Sequence, residues 1–165
     1  EQHDVQLEDG TQAYREFVRH PGAIGVLSSL PDGRLVFVRQ YRMGSARVMT
    51  EVVAGLLDPG EAPEDAARRE LEEETGYAAD TLEWIGTIFA SPGYVDEKIE
   101  LYFARLKPEQ NHRRLDHGER IEVVMMTRDE FSRAVDSGEI HDAKTLAAWA
   151  LFLEREKAGP ARSDV

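Results

Sequence analysis

The sequence predicts an α+β fold on three observations. Strand signals crowd its first half, one helical stretch interrupts them, and two helices close the chain. That order favours a mixed or antiparallel sheet, and 165 residues suit one domain.

Residues 5–8 and 13–19 flank an Asp9-Gly10 turn and make a first hairpin. Residues 23–30 and 34–41 flank Pro31-Asp32-Gly33 and make a second. Within it Leu35, Val36, Phe37 and Val38 are apolar without a break, as in a strand covered on both faces. A short strand follows at 48–53. Pro63–Thr75 reads as a helix: proline opens it, Glu64 and Asp65 occupy the first turn, and Gly76 stands just past its end. Strands resume at 82–89 and 98–106 and, after a polar loop over 107–118, at 121–126. Helices are expected at 128–136 and 143–156, the last packing through Leu146, Trp149, Leu151 and Phe152.

Composition narrows the function classes. Hydrophobic residues make up 41% and charged residues 32%, enough for a core and a solvated surface. The net charge of −12, from 20 Lys+Arg against 32 Asp+Glu, disfavours nucleic acid and anionic membranes as partners. A small phosphorylated substrate stays open if a divalent cation stands between it and the acids. The absence of cysteine excludes disulfides, thiolate metal sites and cysteine nucleophiles. The longest apolar run, residues 146–153, is far short of the roughly 20 residues of a membrane helix. The opening Glu-Gln-His-Asp has no basic or apolar region of a signal peptide. A cytoplasmic protein is expected, with room for native residues ahead of Glu1.

The most informative stretch is Arg68-Arg69-Glu70-Leu71-Glu72-Glu73-Glu74-Thr75-Gly76. On a helix Glu70, Glu73 and Glu74 share one face, while Glu64–Arg68 and Asp65–Arg69 are favourable four-residue pairs. Acids in the last turn oppose the macrodipole, each costing about 0.3–1 kcal/mol, so stability alone does not place them there. A bound divalent cation reverses the sign of that effect.

Gly55, Glu61, Arg69, Glu70, Glu73, Glu74 and Gly76 stand at spacings that resemble the signature of the Nudix hydrolases, which cleave a nucleoside diphosphate linked to another group. Tyr77 departs from it, where the family usually has an aliphatic residue. The resemblance implies the Nudix fold over residues 21–165, a mixed β-sheet core sandwiched by helices, with an N-terminal antiparallel hairpin in residues 1–20. It implies Mg²⁺ or Mn²⁺ as cofactor, with Glu70 and Glu74 as main ligands. Glu73 would be a further ligand or an orienting acid, and the Ala54 carbonyl would complete the shell. Arg69 would support the glutamates, often through a partner at the position of Glu61.

Ser91-Pro92-Gly93-Tyr94-Val95-Asp96-Glu97 is similar to the segment that marks ADP-ribose pyrophosphatases, with Pro92 fifteen residues beyond Tyr77. Val95 departs from it, since a small hydroxyl residue is commoner there. By the same resemblance Arg42, at the end of Val38-Arg39-Gln40-Tyr41-Arg42, and Arg19 would bind substrate, and Glu51 would lie near it. The catalytic acid or base of such enzymes comes from a loop beyond the central sheet. Glu119 aligns best, Asp116 and His117 are alternatives, and the neighbouring Gly118 would let the loop close. The implied activity is metal-dependent hydrolysis of ADP-ribose to AMP and ribose 5-phosphate. The enzyme would be a homodimer whose hairpin contributes to the partner's pocket. The alternatives are another nucleoside diphosphate sugar or dinucleotide as substrate, and a sensor that binds ADP-ribose without cleaving it. The costly acid cluster argues against the sensor.

Overall fold

The computed structural model describes residues 1–115, 118 and 120–158. Strands β1 (Gln2–Gln6) and β2 (Gln12–Glu16) form a two-stranded antiparallel sheet of their own. The main sheet comprises β3 (Ala23–Ser29), β4 (Leu35–Arg42), β5 (Arg47–Glu51), β6 (Val53–Leu56), β7 (Tyr77–Phe89), β8 (Lys98–Gln110) and β9 (Glu122–Met126). Its order is β5-β4-β3-β8-β7, with β6 also on β3 and β9 also on β4. The β3–β8 pair is parallel and the other pairs are antiparallel, so the sheet is mixed.

Helix α1 (Pro63–Thr75) covers one face; α2 (Arg128–Asp136) and α3 (Ala143–Ala158) cover the other. The alternation of side chains along a strand assigns each residue to a core. Ala23, Leu27, Leu35 and Phe37 pack with Phe131, Ala148 and Phe152; Ile24, Val26, Val36 and Val38 pack with Ala66, Ala67 and Leu71. The unbroken apolar run of β4 is thus buried on both sides, as expected.

The first hairpin lies earlier than expected, its strands at Gln2–Gln6 and Gln12–Glu16 and not at 5–8 and 13–19, and the main sheet differs from the sequence-based expectation in three places. The strand expected at 48–53 is two strands: β5 pairs with β4, β6 pairs with β3, and the chain changes neighbour at Val52. The Val52 N–H donates instead to the Thr145 hydroxyl at 2.9 Å, a partner 93 residues away. Strand β7 begins at Tyr77 rather than 82, because three register shifts along β7–β8 scramble the alternation that would reveal its first half. Strand β8 runs on to Gln110, through residues expected to be loop, because Tyr77 of β7 supplies its last partner.

Helix α1 has the expected bounds, and Gly76 ends it in the left-handed region at φ 78°, its N–H donating to the Glu72 carbonyl at 2.8 Å. The chain leaving β8 then satisfies the helix's last carbonyls. Gln110 Nε2 donates to Thr75 O at 2.8 Å, Asn111 N–H to Gly76 O at 2.7 Å, and Arg114 N–H to Glu73 O at 3.0 Å.

Candidate active site

A cleft of about 800 Å³ brings the end of β6 (Ala54, Gly55, Leu56) against the acidic face of α1 (Arg69, Glu70, Glu73, Glu74). Gly55 makes this approach possible. A Cβ there would lie 2.0 Å from Glu70 Cδ, so any side chain would displace the carboxyl from the strand. Glu74 is 3% exposed, and the Glu70 side chain is largely covered.

Arg69 organises these acids. Its Nε and Nη2 each donate to Glu61 at 2.8 Å, and Nη1 donates to Glu70 at 2.7 Å and Glu73 at 3.2 Å. The guanidinium, helped by the Asp58 N–H, holds the Glu61 carboxyl down at about 2. The expected four-residue pair Glu64–Arg68 forms at 2.9 Å. Arg69 turns to Glu61 instead of the expected Asp65, since a two-bond carboxylate contact beside the cleft outcompetes an exposed helical pair.

The donor set offers oxygen alone: carboxylates of Glu70, Glu73 and Glu74 and a backbone carbonyl. Among the described residues no three acid or histidine side chains close into a ready-made metal cage. An open, all-oxygen wall fits a hard divalent cation that keeps waters and bridges substrate phosphates, and does not fit a tetrahedral zinc centre.

Two cations share the cleft with these acids. Arg42, from the end of β4, and Lys144, from the first turn of α3, line the cleft. Arg42 donates through Nε and Nη2 to Glu51 at 3.0 and 2.9 Å; the Lys144 ammonium donates to Glu51 as well, and to Asp142 at 3.0 Å. Burial pushes the Glu51 carboxyl up, but the Arg42 hydrogen bonds and the Lys144 charge outweigh it and hold it below its ordinary value. Asp142 caps α3, accepting from the Thr145 N–H at 2.9 Å and hydroxyl at 2.7 Å.

Other candidates fall elsewhere. Arg19 is exposed outside the cleft, bonded to Glu1 at 2.9 Å and Asp96 at 2.8 Å, while its neighbour His20 lines the cleft. Pro92 sits in an exposed turn whose Tyr94 and Val95 N–H groups donate to Ser91 O at 3.1 Å; Ala90 and Glu97, at its two ends, reach the cleft. Glu119 and its alternatives Asp116 and His117 lie outside the described residues. Sequence reasoning missed Lys144, Asp142 and His20, and quoted Glu97 only as the end of the Ser91–Glu97 segment, with no role. Only Asp142 carried a local signal, as an acid opening a helix; the others reach the cleft through tertiary placement.

Residues 19–149 match the family model of the NUDIX domain. The chain belongs to the Nudix family. This Nudix hydrolase is 42% identical over 146 residues to an ADP-ribose pyrophosphatase of Bacillus subtilis (strain 168), covering 88% of this chain and 79% of that protein. It is 40% identical over 156 residues to a methanol dehydrogenase activator of Bacillus methanolicus, covering 94% and 84%. A crystal structure of an ADP compounds hydrolase superposes with a TM-score of 0.80 at 25% identity, covering 94% of this chain and 84% of that one. The expected Nudix fold and hydrolase class therefore hold.

Proposed function

We propose that this Nudix hydrolase cleaves ADP-ribose to AMP and ribose 5-phosphate with Mg²⁺ or Mn²⁺. The observation that carries the reading is its 42% identity to the B. subtilis ADP-ribose pyrophosphatase over most of both chains. Glu70 and Glu74 would hold the cation with the Ala54 carbonyl, and Glu73 would be a further ligand or an orienting acid. The bound cation withdraws charge from the pyrophosphate and lowers the cost of ionising water. Arg69 keeps Glu70 and Glu73 aimed along one wall. Arg42 and Lys144 offer the substrate anion positive charge in a chain of net charge −12. Glu119 takes the proton of the attacking water, and Arg19 and Pro92 border the outer part of the substrate.

The reading includes a cytoplasmic homodimer. Residues 1–20 contribute to the partner's pocket, and residues 21–165 form the hydrolase domain. The exposed apolar side chains Leu7, Tyr14 and Val18 on and beside the hairpin support that role. The test is a panel of ADP-ribose, a nucleoside diphosphate sugar, a dinucleotide and a nucleoside triphosphate, each incubated with Mg²⁺ in oxygen-18 water. ADP-ribose should show the highest kcat/KM, with label in one product. A triphosphate preference would refute the ADP-ribose assignment and leave the hydrolase class intact; binding without product would make the protein a sensor.

A further inference from the structure

Family resemblance puts Glu51 near the substrate, yet the side chain is 1% exposed, and the groups that line the cleft are its two partners, Arg42 and Lys144. We propose that Glu51 is a positioning residue for anion recognition, a buried carboxylate that fixes Arg42 of β4 and Lys144 of α3 as a pair in the same cleft as the carboxylate helix. The inference deepens the pyrophosphohydrolase reading of the cleft and rests on it.

Three features carry it. Glu51 engages the Nε–Nη2 edge of Arg42, which leaves the other edge of the guanidinium turned away from Glu51. The Lys144 side chain is 15% exposed, and a cation that enclosed is held in place by its counter-ions, here Glu51 and Asp142. The backbone fastens the same arrangement: the residue after Glu51 donates to Thr145, the residue after Lys144, and Asp142 caps that turn. Two elements distant in sequence thus present their charges from a single buried anchor.

Charge and positioning predict opposite signs. Removing the Glu51 charge makes the cleft more positive, which on charge alone tightens anion binding. Loss of the anchor lets both long side chains wander, which weakens it. Glu51→Gln should raise KM for ADP-ribose about tenfold with kcat within about threefold, and adding Lys144→Met should raise it little further, since coupled residues are not additive. A purely structural role would lower Tm and the active fraction without moving KM. Should Glu51→Gln fail to fold, Glu51→Asp keeps the charge but retreats by one methylene from its two partners, and should show a smaller KM rise. Calorimetric binding of magnesium pyrophosphate reads the pair independently of turnover and should weaken about tenfold in Glu51→Gln. An unchanged or lowered KM, or a wild type that does not bind pyrophosphate, overturns the proposal. A wild type that binds pyrophosphate yet spares ADP-ribose refutes the substrate reading alone.

Discussion

Gly55 and Glu70 show how closely one atom can govern this site. Because a Cβ at Gly55 would meet Glu70 Cδ at 2.0 Å, Gly55→Ala should turn the carboxylate off the strand. Mn²⁺ affinity, measured by calorimetry, should fall at least about tenfold while the fold persists, because the clash can be relieved by a side chain at the cleft. Glu74→Gln should cut activity by about a hundredfold or more, with the apo Tm level or higher, because an acid in the last turn opposes the helix dipole. Near-normal turnover at limiting Mg²⁺ would remove Glu74 from the ligand set. Glu61, held at about 2 against an ordinary 4.5, contributes stability that is full above pH 4.5 and is lost as pH falls toward 2. Urea titrations should find wild type and Glu61→Gln furthest apart at neutral pH and converging across that window. The acids were legible in the sequence because their spacing lies within one helix. Lys144 was not, since its place in the cleft depends on where α3 lands.

At the scale of elements, α1 was readable to its last residue, with proline at its start and glycine at its end. What the sequence hid is how the acidic helix end is satisfied: the chain leaving β8 folds over it. Gly76→Ala sets an unfavourable φ against a Cβ placed 2.4 Å from the Asn111 carbonyl oxygen. It should destabilise by at least about 1–2 kcal/mol in chemical denaturation. It should also lower kcat, because residues 110–114 come shortly before Glu119, the acid proposed above to take the proton of the attacking water. Full stability would show that this contact yields freely. The β5–β6 break was equally invisible, because the hydroxyl that receives the stranded Val52 N–H belongs to a helix far along the chain.

For the molecule as a whole, the hairpin β1–β2 forms its own sheet but is strapped to the body. Val18 N–H donates to Tyr94 O at 2.8 Å, Asp96 N–H to Val18 O at 3.3 Å, and Arg19 pairs with Asp96. Deleting residues 1–16 should convert the proposed homodimer to a monomer in sedimentation and abolish most ADP-ribose turnover, while near-native thermal unfolding persists. A truncated chain that stays dimeric and active would take the hairpin out of the reading. The change of neighbour at Val52 has a consequence for substrate size. Glu51, which binds Arg42 and Lys144, ends β5, and Ala54, which lines the cleft, lies in β6 three residues on, so their Cα atoms stand at most about 10 Å apart. The two sides of the site are therefore tethered by two residues of chain, Val52 and Val53. With so short a tether, a substrate with a longer phosphate chain must bow outward rather than spread them.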